Sequence, residues 1–151
     1  MVSDVLDEPS VLSEMDVVIS ERQVHVPIRE ESDVIMARKR AREFARREAL
    51  SERATEALVI ATSEIAQNVI VHADSGELFL GSITRSEGHG VMVVVRDRGP
   101  GIADTARALQ DGYSTGRGLG LGLSSAKRLM DEISILSKSG EGTTVAMLKW
   151  A

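Results

Sequence analysis

Apolar residues recur along this chain with two periods, and the switches between those periods lay out its elements. From Ser32 or Asp33, either of which can cap a helix, Val34, Ala37, Ala41, Phe44 and Ala45 fall near one stripe and predict a helix to about Leu50. Ser51 offers a fresh cap. Ala54, Leu58, Ala61, Ile65 and Val69 then predict a second helix to about His72, after which Asp74, Ser75 and Gly76 turn the chain. Strand-like runs follow at Glu77 to Ile83 and Val91 to Asp97, joined by the polar stretch 84–90 as a hairpin loop. The continuously apolar run VMVVV puts the second of these strands at the centre of a sheet. Ahead of the helices, residues 16–27 alternate as a strand or hairpin arm closed by Pro27. Residues 1–15 lack sustained periodicity and read as a flexible acidic extension before a domain spanning 16–151.

Gly99, Pro100 and Gly101 stop the apolar strand abruptly. A short helix is expected at Ala103 to Gln110, then a glycine-rich stretch from Gly112 to Gly122, and a further helix from about Leu121 to Met130. Two strands, Ile133 to Ser137 and Thr143 to Trp150, close the chain around the turn from Ser139 to Gly142. The order β-α-α-β-β-α-α-β-β fits an α+β sandwich better than a regular βαβ repeat.

Composition narrows the chemistry. At 151 residues the chain suits one core. Aromatics are only 3% of it, so the core is aliphatic and there is no stacking platform to make nucleic acid a good ligand. The absence of cysteine removes disulfides and thiolate chemistry, and three scattered histidines argue against zinc. Neither a signal peptide nor an apolar run of membrane-spanning length is evident, so the expected compartment is the cytoplasm, with no membrane partner. The first 33 residues hold nine acidic against two basic residues, a local charge of −7, so the remainder carries +2. Arg38, Lys39, Arg40, Arg42, Arg46 and Arg47 form a basic run that is either a solvated helix face or a docking surface for an acidic protein.

Four segments carry candidate chemistry. Glu64 and Asn68 lie four apart, so a carboxylate and an amide share one helical ridge that His72 continues, the last more simply a hydrogen bonder at the helix end. Asp97 follows the most apolar strand, where an ionised carboxylate can accept from an exocyclic amine, and Gly99 and Gly101 let the backbone approach a planar ligand. Gly116, Gly118, Gly120 and Gly122 lead into a helix as GRGLGLGL, an arrangement that presents backbone N–H groups to phosphate. Gly140 to Thr144 suit a hairpin turn, with the Thr143 hydroxyl free to face a base pocket.

In the order SEIAQN, DRGPGI, GRGLGLGL and GEGTT, these segments resemble the N, G1, G2 and G3 boxes of the GHKL ATPase superfamily, over roughly residues 55–147. The resemblance implies a Bergerat-type two-layer α/β sandwich with a mixed, mainly antiparallel sheet. It also implies that Asn68 ligates Mg2+ on the phosphates of ATP and that Asp97 binds the adenine amine. Gly99, Gly101 and Ile102 would shape the base pocket, and Thr143 would support adenine through water. Gly116, Arg117, Gly118, Leu119, Gly120, Leu121 and Gly122 would wrap the phosphates, and Glu64 would be the general base. Lys127 and Arg128 would face a partner or solvent.

Only 21 residues separate Asp97 from Gly118, so the ATP lid is short, and no phosphoacceptor domain precedes the site. On that basis the chain is similar to the bacterial serine/threonine kinases of partner-switching and stressosome pathways. These phosphorylate a STAS-domain antagonist and, once released, activate a PP2C-type phosphatase, with a homodimer among the assemblies the family allows. His72 and the basic helix support the alternative of an anti-sigma factor that sequesters a sigma factor according to its bound nucleotide.

Overall fold

The computed structural model describes residues 3–99, 119–138 and 140–151. Along these the order is α1 (Ser3–Glu21), β1 (Val24–Ile28), α2 (Glu31–Arg47), α3 (Glu52–His72), β2 (Gly76–Arg85), β3 (Gly88–Asp97), α4 (Leu119–Leu129), β4 (Glu132–Lys138) and β5 (Gly142–Trp150). The strands form one sheet in the order β1-β2-β3-β5-β4. Expected to be mixed and mainly antiparallel, the sheet is antiparallel in every described pairing. The short helix expected at 103–110 lies outside the described residues.

Register explains the two faces. Val26, Leu78, Val95, Val145 and Ile135 lie opposite one another in turn, giving an apolar row across all five strands. That face packs on α2, α3 and α4 through Ala37, Phe44, Leu58, Ile65, Val69 and Leu123, all buried. Moving one residue along each strand turns the side chains to the opposite face. Phe79, Ile83, Met92, Val94, Ala146 and Leu148 form a second apolar surface there. It is covered by α1, whose Met15 and Val18 are buried against it.

Helix α1 departs from the sequence reading. Residues 16–21 are helical rather than a strand arm, β1 runs through Pro27 to Ile28, and the domain boundary expected after residue 15 falls inside one helix. The signal was present: Val11, Met15, Val18 and Ile19 follow i, i+4, i+7, i+8 spacing. Gly81 lets the helix approach, since a Cβ there would lie 2.8 Å from a Val18 methyl. At the far end the Arg85 guanidinium donates to Glu14 at 2.8 and 3.0 Å and to Glu132 at 2.7 and 3.1 Å. These bonds, to Glu14 first and then Glu132, raise the Arg85 pKa further above its ordinary value.

The caps of the central helices are local. The Asp33 carboxylate accepts from the backbone N–H of Glu30 at 3.1 Å and of Arg29 at 2.8 Å. Asp33 therefore serves α2 from its third position, and Glu30, not Ser32 or Asp33, is the N-cap. Helix α2 ends at Arg47, where Ala49 takes φ 66 and the Leu50 N–H reaches back to Ala45 O at 3.0 Å. Ser51 caps α3 as expected, its Oγ accepting from Ala54 N at 3.0 Å.

Candidate functional site

The C-terminal half of α3 runs along one side of the site. Glu64 is exposed and Asn68, one turn on, is half-buried. The Asn68 Nδ2 is itself buried and has no hydrogen-bond partner among the described residues. A buried amide left unpaired is costly in a finished site, so a group that binds here would satisfy it.

At the end of β3 the chain brings Asp97 to the last turn of that helix. Its Oδ1 accepts from Gly99 N at 2.8 Å and from Thr143 N at 3.2 Å, so one backbone amide of its own turn and one of β5 fix the carboxylate. Oδ2 has no hydrogen bond among the described residues. Two glycines make the close packing possible. A Cβ on Gly99 would sit 2.9 Å from Ala73 Cβ and 3.0 Å from the His72 carbonyl oxygen, so the turn rests directly on the end of α3. Gly142 has φ 107, and a Cβ there would run into the Asp97 carbonyl oxygen.

Thr143 is buried, and its hydroxyl lies 2.9 Å from Ser137 Oγ. Ser137 Oγ donates to Gly142 O at 3.1 Å, so Thr143 is the donor between the hydroxyls, and its oxygen keeps acceptor capacity for a water or ligand. The sequence reading missed Ser137, because only the β4–β5 register places it opposite Thr143.

Leu119, Gly120, Leu121 and Gly122 form the first turn of α4, which packs against α3. The described end of the glycine-rich run thus enters a helix that packs on α3. Gly101, Ile102, Gly116, Arg117 and Gly118 lie outside the described residues. Lys127 and Arg128 are exposed in the last turn of α4. His72 is half-buried at the end of α3, where its carbonyl supports the Gly99 turn.

Among the described residues no group of three His, Asp or Glu could hold a metal unaided. Mg2+ needs fewer protein ligands, taking one or two protein oxygens and completing its octahedron with phosphate and water. Asn68 would be that protein ligand through its side-chain carbonyl oxygen. No described helix is long and apolar enough to cross a membrane.

Comparison with known proteins places these features in a family. Residues 26–149 match the model of the histidine kinase-like ATPase domain. The serine/threonine-protein kinase RsbT of Bacillus subtilis is 36% identical over 125 residues, which are 83% of this chain and 94% of the relative. The anti-sigma F factor of Anoxybacillus flavithermus is 37% identical over 94 residues, but the match spans 58% of this chain and only 63% of that protein's length. In fold the chain resembles the mycobacterial sensor histidine kinase MprB, at 18% identity and a TM-score of 0.51 over 84% of this chain and 97% of the other. It also resembles a chain of the SiaB-SiaC complex from Pseudomonas aeruginosa, at 13% identity and a TM-score of 0.56 over 93% and 97% of the two.

Proposed function

The chain belongs to the histidine kinase-like ATPase family, and from that premise and the geometry of the site we propose that it is an ATP-dependent protein serine/threonine kinase. Its substrate is a STAS-domain antagonist in a cytoplasmic partner-switching pathway, and its release lets it engage a PP2C-type phosphatase. The observation that carries the nucleotide reading is Asp97, held through one oxygen by Gly99 N and Thr143 N while the other lacks a bond among the described residues. A fixed acceptor of this kind recognises the exocyclic amine of adenine without reorganising.

Asp97 orients the base, with Thr143 and its partner Ser137 holding a water beside it. Asn68 anchors the phosphate end, and the start of α4 turns backbone N–H groups toward it. Asn68 would hold Mg2+ brought with the nucleotide, and the charge supplied there would neutralise the transferring phosphoryl group. Glu64, exposed one turn from Asn68, takes the proton of the incoming serine or threonine hydroxyl. The hydroxyl oxygen forms its bond to the γ-phosphorus as the bond to the β–γ bridging oxygen breaks, releasing ADP.

The test is transfer of labelled phosphate to the STAS proteins encoded near the gene. Glu64→Ala should lose about 10² to 10⁴-fold in rate while still binding nucleotide. Full activity in that variant would remove Glu64 from the mechanism.

A second reading rests on α2, where exposed Arg38 and Lys39 flank exposed Ile35 and Met36. Such a mixed basic and apolar face suits an acidic protein, and an anti-sigma factor would use it to hold a sigma factor. Retention of a sigma factor and no STAS protein in a pull-down would favour this reading.

A further inference from the structure

Helix α1 covers only part of the reverse face of the sheet. Past its last turn the chain reverses at Arg22, with φ 50, and the end of the sheet beyond it is an open groove of about 530 Å3. Strand register accounts for the lining. His25 lies opposite Phe79, Pro27 opposite Glu77, Glu77 opposite Arg96, and Arg96 opposite Thr144, so their side chains share the α1 face. Arg29 and Arg98, at the ends of β1 and β3, complete the rim. Asp97, between Arg96 and Arg98, also borders the groove, but strand alternation turns its carboxylate toward the other face, where Gly99 N and Thr143 N hold it, so the groove adjoins the nucleotide site from behind.

The groove is cationic in a chain whose net charge is −5. Three guanidiniums, those of Arg29, Arg96 and Arg98, line it. Of the two acidic residues in its lining, Glu77 is engaged by His25 at 2.9 Å and Arg96 at 3.3 Å, and the Asp97 carboxylate by Gly99 N at 2.8 Å and Thr143 N at 3.2 Å. His25 also stacks on Phe79 at 4.8 Å and accepts from Arg22 at 2.8 Å, so the floor is rigid. Arg29 and Arg98 are exposed, and neither has an ion pair among the described residues. By contrast, Arg42 and Arg46 of α2 are paired with Glu56 and Glu52.

We propose that this groove docks an acidic segment of a protein partner in extended form, with carboxylates three residues apart meeting Arg29 and Arg98. Two strand spacings separate the two arginines, about 10 Å, which is also roughly the advance of three extended residues. Bidentate guanidinium–carboxylate pairing at both ends sets the register, and Thr144 and Ser75 offer hydroxyls between. Glu77 on the floor and the lack of a free aromatic face disfavour a continuous phosphate backbone.

The test uses the full chain without nucleotide, so its failure leaves the kinase reading untouched. The probe is a fluorescein-labelled peptide of about twelve residues with glutamate at every third position, followed by anisotropy at low ionic strength, where such pairing is least screened. Binding should fall at least about tenfold in Arg29→Glu/Arg98→Glu and stay unchanged in Arg38→Glu/Lys39→Glu. If the double variant melts early, Arg29→Gln alone carries the test, with an expected loss of about threefold. No binding, equal losses in the α2 variant, or indifference to both groove variants would overturn the proposal. Tighter binding of single-stranded DNA of matched length at the same residues would overturn it in favour of nucleic acid.

Discussion

Gly140 and Gly142 lie two residues apart in the β4–β5 turn, both have positive φ, and replacing each by alanine should have very different results. Gly140 has φ 84 and open space around the position a Cβ would take, so Gly140→Ala carries only the left-handed backbone penalty, about 1 kcal/mol. Gly142 has φ 107, and its Cβ would meet the Asp97 carbonyl oxygen and lie 3.1 Å from Arg98 Cα. Backbone cannot rotate away as a side chain can. The hairpin must lift off β3, so the strain of about 1–3 kcal/mol is joined by lost packing, for a total of at least about 3 kcal/mol. For a chain of this length each kcal/mol lowers Tm by about 2–4 °C, which predicts a drop near 3 °C for Gly140→Ala and near 10 °C for Gly142→Ala. Lifting the hairpin also draws Thr143 N from Asp97 Oδ1, a contact already 3.2 Å long. Affinity for ATP, read by titration calorimetry well below both melting points, should therefore fall at least about tenfold in Gly142→Ala and hold in Gly140→Ala. Equal melting shifts, or unchanged nucleotide affinity in Gly142→Ala, would refute the claim that this turn positions the carboxylate.

Two further outcomes follow from the ion pairs. Arg85→Met should cost about 2 kcal/mol, because it leaves the half-buried Glu14 and Glu132 without their donor, and in a Glu14→Gln background the cost should shrink. Chemical denaturation of the four variants in that cycle measures the coupling, and strict additivity would show that the bridge does not fasten α1. Burial pushes the Glu77 carboxyl up, but the hydrogen bond from His25 and the charge and hydrogen bond of Arg96 pull it further down, so its folded pKa lies below the ordinary glutamate value of 4.5. A depressed carboxylate stabilises the fold above its unfolded pKa and loses that contribution as pH falls through its folded pKa. Glu77→Gln should therefore flatten the stability profile below about pH 4.5 relative to wild type, as followed by thermal melts across pH; parallel profiles would exclude the linkage.

Much of this protein is legible locally. The α3 stripe, the Ser51 cap, the dry strand 91–95 and the turn at Gly99 depend on residues near in sequence, and each stands where the periodicity puts it. Glu64 and Asn68 share a ridge by helix geometry alone, and the order of four glycine- and carboxylate-bearing segments already pointed to a nucleotide site. Ser32 and Asp33 are both good caps by residue type, and it is where the chain enters α2 from β1 that makes Glu30 the cap and Asp33 its reciprocal partner.

What only the tertiary structure decided involves partners distant along the chain. The Asp97 carboxylate takes one bond from its own turn and one from Thr143, 46 residues away, and no period encodes that pairing. Ser137 matters only because the β4–β5 register sets it against Thr143. Helix α1 was lost among acidic residues because its few apolar positions have meaning only against the second face of the sheet, a surface that exists once five strands have paired. The cationic groove behind the site has the same origin, since Arg29, Arg96 and Arg98 come together only when β1 and β3 flank β2. Sequence determines which residues can take a helix, a strand or a turn, because those preferences act within a few residues. The sheet's register and its uncovered end determine which of them meet, because that depends on contacts the folded chain alone brings within reach.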